Sequence, residues 1–307
     1  MAKAPEIKTR AVVLQHRGVL KVGGADRRSF LQGIVSNDVE RVTPERAAWA
    51  AFLTPQGKFL HEFFLAEQHD SFLLDCEAAR AGDLLRRLKL YKLRAQVLLE
   101  PAGELAVAAL FGAAALETLG LPAEPGRARP FAGGLAFVDP RLAELGARAL
   151  LPREGAEAAL AAAGFAPAAP DDYDALRIAA GVPDGSRDLE VEKATLLESG
   201  FDELNGIDWD KGCYMGQELT ARMRYRGLVK KRLVPVEIAG PAPEAGTPIT
   251  RDGKEAGQLR SAVARNGGSA QTSWGLALLR LEALEEGAPL MAGDAQVTPR
   301  KPAWAKF

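Results

Sequence analysis

The chain has 307 residues, 47% of them apolar and 26% charged, which describes a globular protein long enough for two or three domains. Its 39 basic and 40 acidic side chains leave a net charge of −1, so no global field draws it to nucleic acid or to a membrane, and neither is expected as a partner. Any affinity for anions must be local.

The opening stretch, "MAKAPEIKTRAVVLQHRGVL", carries Lys3, Glu6, Lys8 and Arg10 and lacks the uninterrupted apolar core of a signal peptide. "GVLKVGG" predicts a strand, and "DRRSFLQGIVSND" a helix with Asp26 as N-cap and Phe30, Leu31 and Ile34 on one face. "AAWAAFL", "KFLHEFFLAE" and "SFLLDC" predict three strands separated by the turns "TPQG" and "QHD". "EAARAGDLLRRLKLY" reads as an amphipathic helix and "AQVLLEP" as a strand, an alternation that suggests an α+β layer. The longest apolar run, "LAVAALFGAAAL", is too short to span a bilayer.

Residues 120–134 read as a Pro/Gly loop, followed by strands in "LAFVD" and "ARALLP" and helices in "EGAEAALAAAG" and "DDYDALRIAAG". The polar, aperiodic stretch 182–204 predicts a long structured loop of the kind that carries function. After residue 230, "KRLVPVEI", "TPIT", "EAGQLRSAVA", "WGLALLRL" and "QVTPRKP" predict a small all-β barrel or sandwich. The expected division is therefore 1–229, two interleaved α+β domains, and 230–307, a C-terminal antiparallel β-barrel.

The sequence has no GxGxxG, Walker A loop, HExxH, GxSxG or CxxC, and its three histidines show no ligand spacing, so no resident metal is expected. Two cysteines, Cys76 and Cys213, cannot make a disulfide framework and suit a reducing cytoplasm. Cys76 closes an apolar strand and reads as buried filler. Cys213 reads in two ways. It is either another small filler or, if Asp210 caps a helix starting at Lys211, a thiol on unpaired N–H groups beside an ammonium, where the nucleophilic thiolate is favoured. Gly212 and Gly216 would then leave open space around the sulfur.

Arg222, Arg224 and Arg226 alternate with Met223 and Tyr225, which would place them on one strand face. That face is either solvated or an anion pocket of bidentate guanidinium groups. Asp188, Glu190, Glu192 and Glu198 are in the same way either exposed acids or a cleft wall. His61 and Glu62 would point to opposite faces of their strand, His61 as a structural residue.

The motif "KGCYMGQELTAR", residues 211–222, closely resembles the signature of the YgfZ-type folate-binding proteins, a family that includes mitochondrial iron–sulfur assembly factors. "FLQGIVSNDV", "LTPQGKFLHEF" and "GVPDGSRDLEVEKATLLESGFDELNGIDW" extend the resemblance over essentially the whole chain. It implies a fold like the glycine-cleavage T-protein, with three domains in a ring around a central channel. It also implies tetrahydrofolate as cofactor and a role in assembling or repairing [4Fe–4S] enzymes, including radical-SAM tRNA-modifying enzymes. Partners would be iron–sulfur client enzymes or cluster carriers. Carried onto this sequence, it nominates Cys213 and Lys211 as catalytic, with transient iron or sulfur contact at Cys213. It nominates Glu62, Tyr214, Gln217, Glu218, Arg222 and Arg226 as folate-binding, and Gly212 and Gly216 as motif glycines. The alternative is a one-carbon transferase of the T-protein type. T-proteins carry an acidic pair where His61 and Glu62 stand, and a glutamate where "RIAAG" has Ala179.

Overall fold

The computed structural model describes residues 9–264, 272–285 and 287–307, so the opening stretch before Thr9 lies outside the described residues. Two compact units take alternating segments of the chain. The first holds the described residues up to Phe52, His61–Tyr173 and Asn205–Tyr214; the second holds Leu53–Leu60, Asp174–Leu204 and Met215–Phe307.

A six-stranded sheet of the first unit runs in the order Ala166–Pro167, Arg10–Val13, Leu105–Phe111, Ala147–Pro152, Gly134–Val138, Ala128–Phe131. Its pairings are antiparallel except at the two-residue edge strand Ala166–Pro167. The central strand Leu105–Phe111 is buried on both faces, which is why its sequence is an unbroken apolar run. Ala106, Ala108 and Leu110 point to one side and pack on the helices Ala115–Leu119 and Ala156–Ala162, where alanines let helix and sheet approach closely. The second sheet has the order Ala48–Leu53, Phe59–Gln68, Ser71–Glu77, Arg17–Gly23, Leu98–Pro101.

A buried layer of charge lies inside the first unit. Arg17 reaches Asp75 at 2.7 Å and Glu62 at 2.5 Å, and Arg148 reaches the other oxygen of Asp75 at 2.6 Å. The Trp49 indole N–H donates to the remaining oxygen of Glu62. Arg17, Arg141 and Arg148 all stack on the Phe64 ring, with guanidinium carbons 4.1–5.6 Å from its centroid. Nothing in the sequence pattern announces this layer, because an arginine beside "GVL" reads as a surface residue.

His61 is also buried, with Nε2 3.1 Å from Asp83. Burial, with Arg80 assisting, pushes its pKa down to about 4 despite Asp83. Between the unfolded value of about 6.5 and this folded value, the unfolded chain binds a proton that the native one does not, so stability falls as pH falls through that window. Urea melts at pH 7 and pH 4.5 are expected to show wild type losing on the order of 2 kcal/mol more than His61→Gln.

The second unit contains a closed antiparallel barrel in the order Lys231–Ala239, Thr272–Arg280, Lys254–Ala264, Pro248–Arg251, Leu290–Ala292, Ala295–Pro299. Val234, Val236, Ile249, Leu259, Leu279 and Val297 fill it. The expected α+β class and C-terminal barrel are thus what the chain forms.

Two local expectations are corrected and one strand is added. Stretch 120–134 contains the strand Ala128–Phe131, and Leu290–Ala292 forms a strand too short to leave a sequence period. The first helix covers only Arg27–Gln32, and the Asp26 carboxylate accepts from the Gln96 N–H instead of capping it. Segment 182–204 is a structured loop as expected, with only single 3-10 turns and with Leu189, Leu196, Leu197, Phe201 and Leu204 buried. Buried Arg177 ties it down through Asp188 at 2.7 Å. Asp188 is therefore an internal strut, while Glu190 pairs with Lys193 and Glu198 accepts from Thr195.

Candidate functional site

Within the first unit, residues 205–214 have no regular secondary structure, and their path is set by the polar segment that follows the helix Arg27–Gln32. The Ser36 hydroxyl donates to the Gly206 carbonyl at 2.6 Å, and the Asp208 N–H donates to the Ser36 carbonyl. The Asn37 amide bridges the carbonyls of Trp49 and Asn205, each at 2.7 Å. Arg41 pairs with both Asp38 and Asp208 at 3.2 Å. Asn37, Asp38, Arg41, Asn205 and Asp208 also border a polar cavity of about 370 Å³. The "SND" of the N-terminal segment is thus a cradle for the loop that carries the cysteine.

Lys211 completes the clamp. Its Nζ donates to the carbonyls of Gln32 and Val35, both at 2.7 Å, at the end of a helix where carbonyls lack intrahelical partners. It also lies 5.2 Å above the Tyr214 ring, which is buried. Burial lowers the Lys211 pKa to about 8, against the pull of Asp38 and Asp208. The sequence suggested that this ammonium serves the thiol; in the structure it anchors the loop to backbone carbonyls of the N-terminal segment.

Cys213 is exposed, whereas Cys76 is buried and its thiol is pushed up to about 12 by burial. Cys76 is the inert filler that was expected. The helix expected from Lys211 instead runs over Gln217–Tyr225 with Gly216 at its N-cap, so Cys213 lies on the preceding loop, outside the helix. Glycines with φ of 88° at position 212 and 79° at position 216 keep the chain out of a helical path there.

In the second unit, Gly216 packs against the "TPQG" turn. A Cβ at Gly216 would sit 2.4 Å from the Thr54 carbonyl oxygen, and one at Gly57 would sit 2.6 Å from Leu219 Cβ. Gly216 is therefore a close-packing residue, not the open space beside the sulfur that the sequence suggested. Gly212 does have open space, with nothing within 4 Å of its absent Cβ. Gly212→Ala is accordingly expected to cost only the positive-φ strain of about 1 kcal/mol, read as a small shift in urea midpoint.

The arginines stand on this helix and its end, not on a strand. Arg222 and Arg226 are four positions apart and share a side, where they line an open cleft of about 490 Å³ with Gln217, Glu218 and Tyr225. Glu62 lies elsewhere, buried in the first unit with both oxygens engaged by Arg17 and Trp49.

Comparison with known proteins decides the family. The chain is 34% identical over 314 residues to the mouse "Iron-sulfur cluster assembly factor IBA57, mitochondrial", covering 95% of this chain and 84% of the relative. It belongs to the IBA57 family of iron–sulfur cluster assembly factors. The human IBA57 protein is 35% identical, with 92% of this chain and 81% of that protein covered. The family described as "CAF17, C-terminal beta-barrel domain" matches residues 230–307. In fold, the chain resembles the glycine cleavage system aminomethyltransferase T from Bartonella henselae, with a TM-score of 0.75 at 16% identity, covering 95% of this chain and 84% of that one.

The IBA57 relatives of mouse, human and Mycosarcoma maydis are named as mitochondrial proteins, which overturns the expectation of a cytoplasmic one. The physical argument behind that expectation was too weak to choose: two unpaired cysteines suit any reducing compartment equally. The sequence nominated Cys213, Lys211, Arg222 and Arg226. It missed Ser36, Asn37, Asp38, Arg41 and Asn205, for which "SND" within the family-like segment was the available signal.

Proposed function

We propose that this iron–sulfur assembly factor is a tetrahydrofolate-binding protein that serves the assembly or repair of [4Fe–4S] enzymes, radical-SAM tRNA-modifying enzymes among them, through the sulfur of Cys213. The observation that carries this reading is an exposed thiol on a loop clamped by Lys211, Ser36, Asn37 and Arg41. A clamped loop presents its sulfur in one place without the entropic cost of ordering it at each encounter.

The iron or cluster fragment is cargo. One soft sulfur fills one coordination position, so the remaining ligands come from the iron–sulfur protein that gives or takes the cargo. The step is ligand exchange: an iron–sulfur bond to Cys213 forms as a bond to a partner ligand breaks, the thiol proton leaves to solvent, and no oxidation state changes. Cys213→Ala is expected to keep the melting temperature of wild type and to lose rescue of a [4Fe–4S] enzyme in cells lacking their own member of this family. Full rescue would remove the sulfur from the mechanism.

For the folate, the donor chemistry of the helix Gln217–Tyr225 fits the anionic glutamyl end. Arg222 and Arg226 offer two bidentate forks on one side, and Tyr225 beside them exposes its ring. Gln217 and Glu218 supply polar contacts in the same cleft. Glu62 is withdrawn from this set because Arg17 and Trp49 already occupy its oxygens, and the Tyr214 ring supports Lys211. Titration with tetrahydrofolate is expected to show about tenfold weaker binding by Arg226→Ala than by wild type. Aminomethyl transfer needs a carboxylate at the folate, and the engagement of Glu62 leaves that reading without support.

A further inference from the structure

The helix Ala81–Lys92 buries Leu84 and Leu88, yet its far end and the residues after it expose large apolar side chains. Leu90 is 64% exposed, Leu93 88% and Leu98 65%. Leu93 ends the helix with a positive φ of 45°, a backbone conformation that is costly for a branched side chain. The strand Leu98–Pro101 lies beside the helix, so exposed Leu98 is carried on the element adjacent to Leu90 and Leu93 in the first unit.

The charge around them has one sign. From Leu84 to Leu99 the sequence has Arg86, Arg87, Lys89, Lys92 and Arg94 and no acid, in a protein whose net charge is −1. Arg86 and Arg87 are paired with Asp83 on the same helix. Lys89 and Arg94 are exposed, and Lys92 is half-buried.

We infer that this surface docks the protein peripherally on an anionic lipid membrane, with Leu90, Leu93 and Leu98 entering the headgroup boundary and Lys89, Lys92 and Arg94 facing lipid phosphates. Apolar side chains among cations are the pattern that interfacial anchors use. Long basic side chains lay their stems along apolar surface while their charged ends stay at the headgroups. Addition of a partner's strand is disfavoured here, because the edge strand Leu98–Pro101 is short and ends on a proline that lacks an N–H donor. No helix among the described residues is long and apolar enough to cross a membrane, so the attachment is to one face. It goes beyond the expectation of no membrane partner, which considered net charge and apolar run length and not a local surface. It does not depend on Cys213 or folate.

The test is co-sedimentation of the full chain with vesicles of phosphatidylcholine alone or with about one third phosphatidylglycerol. Wild type is expected to pellet with the anionic vesicles at low salt and to be released at high salt. Two double variants, Leu90→Ser with Leu93→Ser and Lys89→Glu with Lys92→Glu, should each bind about tenfold less while keeping the wild-type melting temperature. Tetrahydrofolate binding should be unchanged in both, which separates this inference from the proposed function. Equal pelleting with neutral and anionic vesicles, or wild-type binding by both variants, overturns it. So does concentration-dependent dimerisation lost in Leu90→Ser with Leu93→Ser, which would give the surface to a second copy of the chain.

Discussion

Asp75→Asn is expected to destabilise the first unit by about 3–5 kcal/mol, enough to leave much of the protein unfolded at 37 °C. The Asp75 carboxylate is fully buried, and its two oxygens neutralise different arginines, Arg17 and Arg148. An amide of the same shape keeps the volume but leaves excess positive charge sealed among Trp49, Phe64 and Phe137. Arg17 retains Glu62, whereas among the described residues Arg148 pairs with no carboxylate other than Asp75. Glu62→Gln should therefore cost less than Asp75→Asn, because Arg17 still holds Asp75. Urea denaturation of both variants gives the order directly. A cost for Asp75→Asn below that of Glu62→Gln would contradict the assignment of Asp75 as the shared counter-ion.

The second large effect belongs to Gly216→Ala. Its backbone φ of 79° strains any residue with a Cβ, and that Cβ would meet the Thr54 carbonyl at 2.4 Å and the Gly57 Cα at 3.1 Å. Backbone on both sides cannot step aside as a side-chain tip could. A loss of about 3 kcal/mol or more is expected, with displacement of the helix that carries Arg222 and Arg226. Gly212→Ala, at the other motif glycine, serves as the control with strain and no clash. The comparison separates two roles that look identical in the sequence. Equal urea midpoints for the two variants would show that the contact with the "TPQG" turn is not as close as described.

The sequence made the barrel legible because its strands are short, β-rich and punctuated by Gly, Pro and Asp, a local signal that needs no distant partner. The helix Gln217–Tyr225 was misplaced toward Lys211 because Asp210 looks like an N-cap and "GCYMG" contains no proline to forbid a helix. What prevents it is long-range: Lys211 is held by Gln32 and Val35, and Gly216 is held by the turn at Thr54–Gly57. The buried ion layer was illegible for a related reason. Arg17, Asp75 and Arg148 are far apart in sequence, and each looks like a solvated charge until the strands are paired. The arginine alternation in "ARMRYR" imitates a strand period, yet the packing of Met223 and Thr220 inward settles it as a helix. Cys213 itself was found by its neighbours in the motif, while its exposure had to come from the structure.

The proposed role requires that the sulfur of Cys213 be reachable in the native protein while that of Cys76 is not. Brief treatment of the folded chain with iodoacetamide, followed by peptide mass spectrometry, reads this without reference to any partner or ligand. The predicted result is one adduct, on Cys213, with Cys76 modified only after denaturation. A native protein that leaves Cys213 unmodified, or modifies Cys76 at a comparable rate, would contradict it.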